Sequence, residues 1–327
     1  MNGGKIYKLK FLTPVHFGAA ELGGKLESVS FSYESDKLFG ALCCELSENE
    51  NLLLSFVEKI RREEIFFSDL LPYKGDNFYL PKPILLVDSQ KTPERLELVE
   101  MRLQATQRKK QKKIEFIRAS RFEEYFSAVK RNSPFQEENN FGETELVQKV
   151  SCRAEDPLPY YVGTFSFNND SGFYLIAFFE DDRDKQIFRT ILEYLGLSGI
   201  GGKRSSGFGK FFLIEEISLE GCMNEDLAAL NKMLTNKSAS WQMNLSSLLP
   251  SPDEISTLKK SYFKLKRRGG FVSAISGEIE QKKNNVCVVV AGSCFPHRLK
   301  GELLSVDKIN GHEVYRLGKS IYAGLSI

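Results

Sequence analysis

The segment Gly199-Ile200-Gly201-Gly202-Lys203-Arg204-Ser205-Ser206-Gly207-Phe208-Gly209 sets five glycines in eleven residues around two adjacent cations. Glycine lets a backbone approach a ligand closely and take turns that aim N–H groups at an anion, so the chemistry suits phosphate. A nucleotide P-loop is excluded. It needs a glycine five residues before a Gly-Lys pair and Ser or Thr after it, whereas position 197 is leucine and Arg204 follows Lys203. A dinucleotide loop runs from strand to helix, and this segment is expected to run from helix to strand. A long surface turn is the bland reading of the same glycines.

Other residues could join such a site. Arg267-Arg268-Gly269-Gly270-Phe271 combines cations, small residues and a ring for base stacking. Ser35 and Lys37 stand where a helix should begin, so they either bind phosphate at its N-terminus or simply cap it. The run Arg108 to Lys113 is either a solvated basic loop or a contact with an RNA backbone. His16 could transfer protons in RNA cleavage, contact RNA, or be structural. His297 and His312 are far away in sequence and no partner for proton transfer is apparent, so cleavage is the alternative reading and not the main one. Asp181-Asp182 reads as favourable charge at a helix start and Glu215-Glu216 as a strand end; neither has the second acidic cluster of a two-metal nuclease. Six cysteines without a C-x-x-C pair and three histidines make structural zinc improbable, so no metal and no cofactor are expected.

The elements that must position these residues are legible in the periodicity. The chain has 327 residues and 37.1 kDa, and its 45 Lys and Arg nearly cancel 43 Asp and Glu. Nucleic-acid binding must then come from a local patch and not from net charge. No apolar signal core or membrane-length apolar run is present, which points to a reduced, cytoplasmic protein with no membrane contact. Tyr7, Leu9 and Phe11 alternate with lysines, and Val29, Phe31 and Tyr33 with serines, as half-buried strands do. Two amphipathic helices follow, from Ser35 through Leu46 and around Leu53 to Ile60. The pattern loosens from about 88 to 160, as an insertion with mobile parts would. Phe173 to Phe179 suits a central strand. The next helix carries Phe188, Ile191, Leu192 and Leu195, with Gly196 as its expected C-terminal cap, and Phe208 to Ile214 begins another strand. That order is βαββαβ, a ferredoxin-like α+β arrangement also used by RNA-recognition modules, filling residues 1–219. Residues 220–327 are expected to form a second domain of similar type, after a linker over 246–256 and with a strand over 286–291.

The run from Leu195 to Gly209 resembles the glycine-rich loop of RAMP proteins, the RNA-binding subunits of CRISPR systems. Four further stretches are similar to the family of the fourth Csm subunit of type III-A complexes: Thr13-Pro14-Val15-His16-Phe17-Gly18; Ser35 to Leu42; Leu71-Pro72-Tyr73 with Tyr79 to Pro83; and Arg267 to Phe271 with Ala291 to Phe295. The resemblance implies two ferredoxin-like RAMP domains and a non-catalytic subunit that holds the 5′ repeat tag of the crRNA. It implies contact with the large polymerase-like subunit and with backbone RAMP subunits. It also implies a thumb hairpin near 143–161 at the start of the guide–target duplex, meeting target RNA indirectly. The RNA-binding set is then His16, Phe17, Gly18, Ser35, Lys37, Gly199, Gly201, Gly202, Lys203, Arg204, Ser205, Ser206, Arg267, Arg268, Gly269, Gly270 and Phe271. Lys149, Val150, Cys152 and Arg153 stand where the family usually shows an Asn-x-Val-Asp-Arg-like thumb stretch, from which this chain departs. The alternative is a metal-independent endoribonuclease that processes CRISPR precursor RNA with His16 as acid or base.

Overall fold

The computed structural model describes residues 3–18, 26–88, 106–107, 109–151, 156–272, 281–309 and 312–327. Its elements in chain order begin with β1 (Lys5–Phe11), α1 (Ser35–Leu46), α2 (Glu50–Arg61), β2 (Ile65–Phe67), β3 (Leu71–Lys74), β4 (Asn77–Pro81) and β5 (Phe116–Arg118). They continue with α3 (Phe122–Lys130), β6 (Gly142–Ser151), β7 (Leu158–Phe167), β8 (Ser171–Phe179), α4 (Asp182–Ser198), β9 (Phe211–Ser218), α5 (Glu225–Thr235) and β10 (Trp241–Asn244). The last are β11 (Leu265–Arg268), β12 (Phe271–Val272), β13 (Gln281–Lys282), β14 (Val286–Val289), β15 (Cys294–Phe295), β16 (Leu303–Ile309), β17 (His312–Leu317) and β18 (Tyr322–Leu325).

The main sheet is antiparallel, in the order β5-β4-β3-β8-β1-β9, with β2 beside β8. Alternation along β1 and β8 loads both faces. Tyr7, Leu9, Phe173 and Leu175 point into a core closed by α1, α2 and α4, while Ile6, Tyr174 and Ile176 point into another. The second core also takes Leu227 of α5, Met243 of β10 and Ala323 of β18. It therefore draws on residues from both sides of position 219.

Several expectations are corrected. Val29 to Tyr33 forms no strand, only single bridges from Val29 to Gly18 and from Tyr33 to Leu70. The serines there bond side chain to side chain, Ser30 to Ser32 at 2.9 Å, while Phe31 stacks on Phe141 at 5.3 Å. Gly196 does not end α4. The helix runs to Ser198, and Gly199, at φ 82°, caps it. A Cβ on Gly196 would lie 2.4 Å from the Phe211 carbonyl oxygen, so this glycine permits helix-on-strand contact. The loosened region holds order among its described residues. Phe122, Phe126, Phe135 and Phe141 are buried, and the Asn139 side chain accepts from the amides of Glu115 and Phe116 and donates to the Phe116 carbonyl. Side chains satisfy this irregular backbone, so no periodicity advertises it.

The expected linker is also structured. Ser246 to Leu249 is buried, and Ser251 and Glu254 form a capping box on a 3-10 helix over Pro252–Lys260. Beyond it, the expected strand appears as β14, but the described residues form a three-stranded sheet β15-β10-β18 and the ladders β11-β14, β12-β13 and β16-β17.

Candidate nucleic-acid interface

The glycine-rich loop is built against the segment 13–18, which is itself pinned to β7. Val15 exchanges both amide bonds with Phe165 at 2.9 Å, and His16 Nδ1 lies 2.7 Å from the Gly163 carbonyl oxygen. The Gly202 amide donates to the His16 carbonyl at 2.8 Å, Gly209 to Pro14 at 2.9 Å, and Ile200 to Gly209 at 3.0 Å. A Cβ on Gly202 would lie 2.7 Å from His16 Cδ2, and one on Gly209 only 2.0 Å from the Ile200 carbonyl oxygen. The expectation that these glycines open the backbone to a partner is therefore corrected. They let the loop lie against its own neighbours, and the amides of Ile200, Gly202 and Gly209 are already bonded.

What the loop presents outward is side chains: Lys203, Arg204, Ser205 and Ser206. Lys203 takes a left-handed conformation at φ 61°, which turns the chain into a single 3-10 turn over Arg204–Ser206. Its ammonium lies 4.8 Å from the Tyr160 ring centroid, and Lys149 lies 4.3 Å from that of Phe208. Two cation–π contacts thus brace the β6-β7 hairpin on the loop. The hairpin pairs without a bulge from Gly142 opposite Phe167 to Ser151 opposite Leu158. Val150 is 54% exposed on it. Cys152 and Arg153 lie outside the described residues.

Beside the loop opens a cleft of about 860 Å³, lined in part by Lys37, Gly199, Gly201, Arg204, Gly269, Gly270 and Phe271. Two motifs separated by more than fifty residues thus share one cavity. Tyr33, Tyr315, Lys283 and Arg61 complete a wall of rings and cations, with Glu58 and Glu313 as acids. Burial, with the nearby Arg316 charge, holds the Lys283 amine below its ordinary range.

Behind the cleft lies a buried ionic network. Arg268 Nη2 meets Glu34 Oε1 at 2.7 Å, Lys266 meets the same oxygen at 3.0 Å, and Arg316 Nη1 meets Asp36 Oδ2 at 2.6 Å. Arg316 Nη2 also donates to the Gly269 carbonyl at 3.2 Å, holding the cleft wall. Asp69 Oδ1 accepts from the amides of Ser35 at 2.7 Å and Ser247 at 3.0 Å, and the Ser35 hydroxyl accepts from Ser247 at 3.1 Å. Burial, then the charges of Glu34 and Asp36, push the Asp69 carboxyl up to about 7 despite those donors. Burial also pushes Glu34 upward, but Lys37, Arg268 and Lys266 outweigh it and hold that carboxyl well below its usual range.

This network removes residues from the expected RNA-binding set. Ser35 and Arg268 are buried and committed to internal partners. The His16 ring is buried under Gly202, and Phe17 is packed against Tyr33 at 4.7 Å. Lys37 is partly exposed and pairs with Glu34 at 2.9 Å. Gly18 and Arg267 are exposed. Sequence reasoning missed Tyr160, Lys283, Tyr315 and Arg316. Arg316 meets an acid 280 positions away, a pairing no local pattern can announce. Among the described residues no group of three or more His, Cys, Asp or Glu is placed to hold a metal, and no helix is long and apolar enough to cross a membrane.

Comparison with known proteins places the chain in a family. The model of the RAMP superfamily matches residues 8–211, and that of the CRISPR Csm4 C-terminal domain matches 237–325. The chain belongs to the RAMP superfamily. Within it, the chain is a member of the Csm4 family of type III CRISPR systems. Csm4 of Mycobacterium tuberculosis is 30% identical over 310 residues, 92% of each chain, and Csm4 of Streptococcus thermophilus is 27% identical over 98% of this chain and 99% of that one. Two solved structures share the fold. A chain of a Csm3-Csm4 subcomplex of the type III-A interference complex matches over 99% of this chain and 100% of its own at TM-score 0.65 and 18% identity. A Csm1-Csm4 cassette bound to cA4 gives 0.56 and 17%, covering 99% and 98%.

Proposed function

We propose that this protein is a non-catalytic subunit of a type III-A effector complex that holds the 5′ repeat tag of the crRNA along the cleft between the glycine-rich loop and the Gly269–Phe271 turn. The observation that carries the reading is the convergence of Arg204 and Phe271, from distant motifs, on one cavity of about 860 Å³. Cations position the phosphates, and rings such as Phe271 and Tyr315 accept splayed bases. Backbone donation is a smaller part of the mechanism than the glycines suggest, because the amides of Ile200, Gly202 and Gly209 have internal acceptors.

The order β3-β8-β1-β9, with α1 and α2 in one crossover and α4 in the other, supports a ferredoxin-like first domain over 1–219. The separate family match over 237–325 supports a second RAMP-like domain over 220–327. The β6-β7 hairpin is the thumb that enters at the start of the guide–target duplex. Solved relatives pair Csm4 with Csm3 and with Csm1, which supports a seat between a backbone RAMP subunit and the large subunit. The burial of the His16 ring supports a scaffold over an endoribonuclease, since a proton-transfer group must reach its substrate.

The test is the salt dependence of guide binding by the assembled complex. Replacing Lys203 and Arg204 together with alanine should weaken binding and make the slope of log affinity against log salt shallower by about 0.7 for each phosphate no longer neutralised. An unchanged slope would remove these residues from the interface.

A further inference from the structure

Strand β9 closes one edge of the main sheet and, among the described residues, pairs only with β1. Its alternation sends Phe211 into the first core, 5.5 Å from Phe11, and turns Phe212 outward at 52% exposure. Opposite Phe212 on β1 stands Lys10, and the Leu12 amide donates to the Lys210 carbonyl at 2.9 Å. The outer face of this corner therefore carries Lys210, Phe212, Lys10 and Leu12 together, and the register shift beside Leu9 adds Ile214. Leu12 is 51% exposed and Ile214 47%. Elsewhere on the same face Ile6, Tyr174 and Ile176 are covered by α5 and the C-terminal sheet, a cover that stops short of this corner.

Charge separates this corner from the rest of the face. Lys8 is neutralised by Glu215 at 3.7 Å and Asp76 at 3.8 Å, whereas Lys10 and Lys210 are exposed and form no ion pair with a described carboxylate. A cluster of large exposed apolar side chains marks a partner surface. The lysines decide its class: lysine is depleted from protein–protein interface cores, while cations interleaved with an aromatic ring are what a single strand needs for its phosphates and bases. The corner also adjoins the glycine-rich loop directly. The Lys210 amide donates to Thr13 Oγ1 at 3.0 Å, one residue after Gly209 is anchored on Pro14.

From this geometry we infer that the open corner of the sheet is a second single-stranded nucleic-acid contact, distinct from the cleft, in which a base stacks on Phe212 and Lys10 and Lys210 meet the adjoining phosphates. It shares with the cleft reading only the class of ligand. Because Phe212 lies on the surface, its variants leave the core intact.

The test uses the full-length chain and a dye-labelled oligouridine of about a dozen nucleotides, within the span of such sites, read by fluorescence anisotropy. Phe212→Ala and Phe212→Leu should each weaken binding about five- to a hundred-fold, as loss of one stacked base does, while Phe212→Trp retains it. Lys10→Ala with Lys210→Ala should flatten the salt slope by about 1.4, the value for two single-strand phosphates. Wild-type affinity in Phe212→Ala overturns the inference. So does retention by Phe212→Leu with loss by Phe212→Ala, which marks an apolar protein-docking surface. Lys203→Ala with Arg204→Ala reports separately on the cleft. Loss there with no change at Phe212 removes this site and keeps the cleft, the converse removes the cleft alone, and a wild-type chain that binds no oligouridine overturns both.

Discussion

Two short basic segments flank the cleft, and their local compositions are nearly interchangeable. In Gly202-Lys203-Arg204-Ser205 the cations remain near the surface, with Lys203 resting on Tyr160 and Arg204 4.0 Å from Glu45. In Arg267-Arg268-Gly269-Gly270 the first arginine is exposed, and the second is buried between Glu34 and Asp36. The difference arises from acids more than 230 residues upstream and not from the segments themselves. A basic motif is thus a phosphate contact only where no buried carboxylate claims it first.

The largest effect that could break this comparison is on stability. Arg268→Ala leaves Glu34 and Asp36 short of a buried partner and should destabilise the chain by about 3–5 kcal/mol, whereas Arg267→Ala should fall within about 0.5 kcal/mol of wild type. Urea unfolding of the two variants checks this; equal midpoints would make Arg268 a surface cation like its neighbour.

The loop side is sharpened by its glycines. Gly202→Ala drives a methyl group against the His16 ring and should cost about 1–3 kcal/mol. The double variant with His16→Ala should recover part of that loss, since the clashing ring is gone. Thermal unfolding of the single and double variants measures the coupling, and strict additivity would contradict the packing described here.

A smaller effect concerns pH. The Asp69 carboxyl lies at about 7 in the folded chain, against about 3.9 in an unfolded one. Between those values the folded protein holds a proton that the unfolded chain has released, so this group's contribution to stability falls as pH rises toward 7 and is flat above it. Glu34, held low by its cations, acts in the opposite sense and only as pH falls through the usual carboxylate range. Asp69→Asn keeps an acceptor for the Ser35 and Ser247 amides. It should flatten a decline on the order of 1 kcal/mol per pH unit between pH 5 and 7, measured by urea unfolding across that range.

Much of the fold is readable wherever burial imposes a period. The alternation of Tyr7, Leu9 and Phe11, and the helical stripe from Phe188 to Leu195, appear where their spacing places them. Reading fails where side chains replace backbone ladders, as with Asn139 holding Phe116, and where serines bond one another, as at Ser30 and Ser32. The candidate site is half legible. Its glycines and cations stand out in the sequence, but whether a glycine faces a ligand or the chain's own His16, and whether an arginine faces solvent or Asp36, depends on contacts between distant segments.

Whether RNA lies along the cleft between the glycine-rich loop and the Gly269–Phe271 turn is decided by ultraviolet crosslinking of the guide in the assembled complex, with crosslinked peptides identified by mass spectrometry. The geometry predicts crosslinks within Lys203–Phe208 and at Phe271 or Tyr315, and none at the buried His16 ring. Crosslinks at His16, with none along the cleft wall, would contradict the account and return the histidine to the RNA.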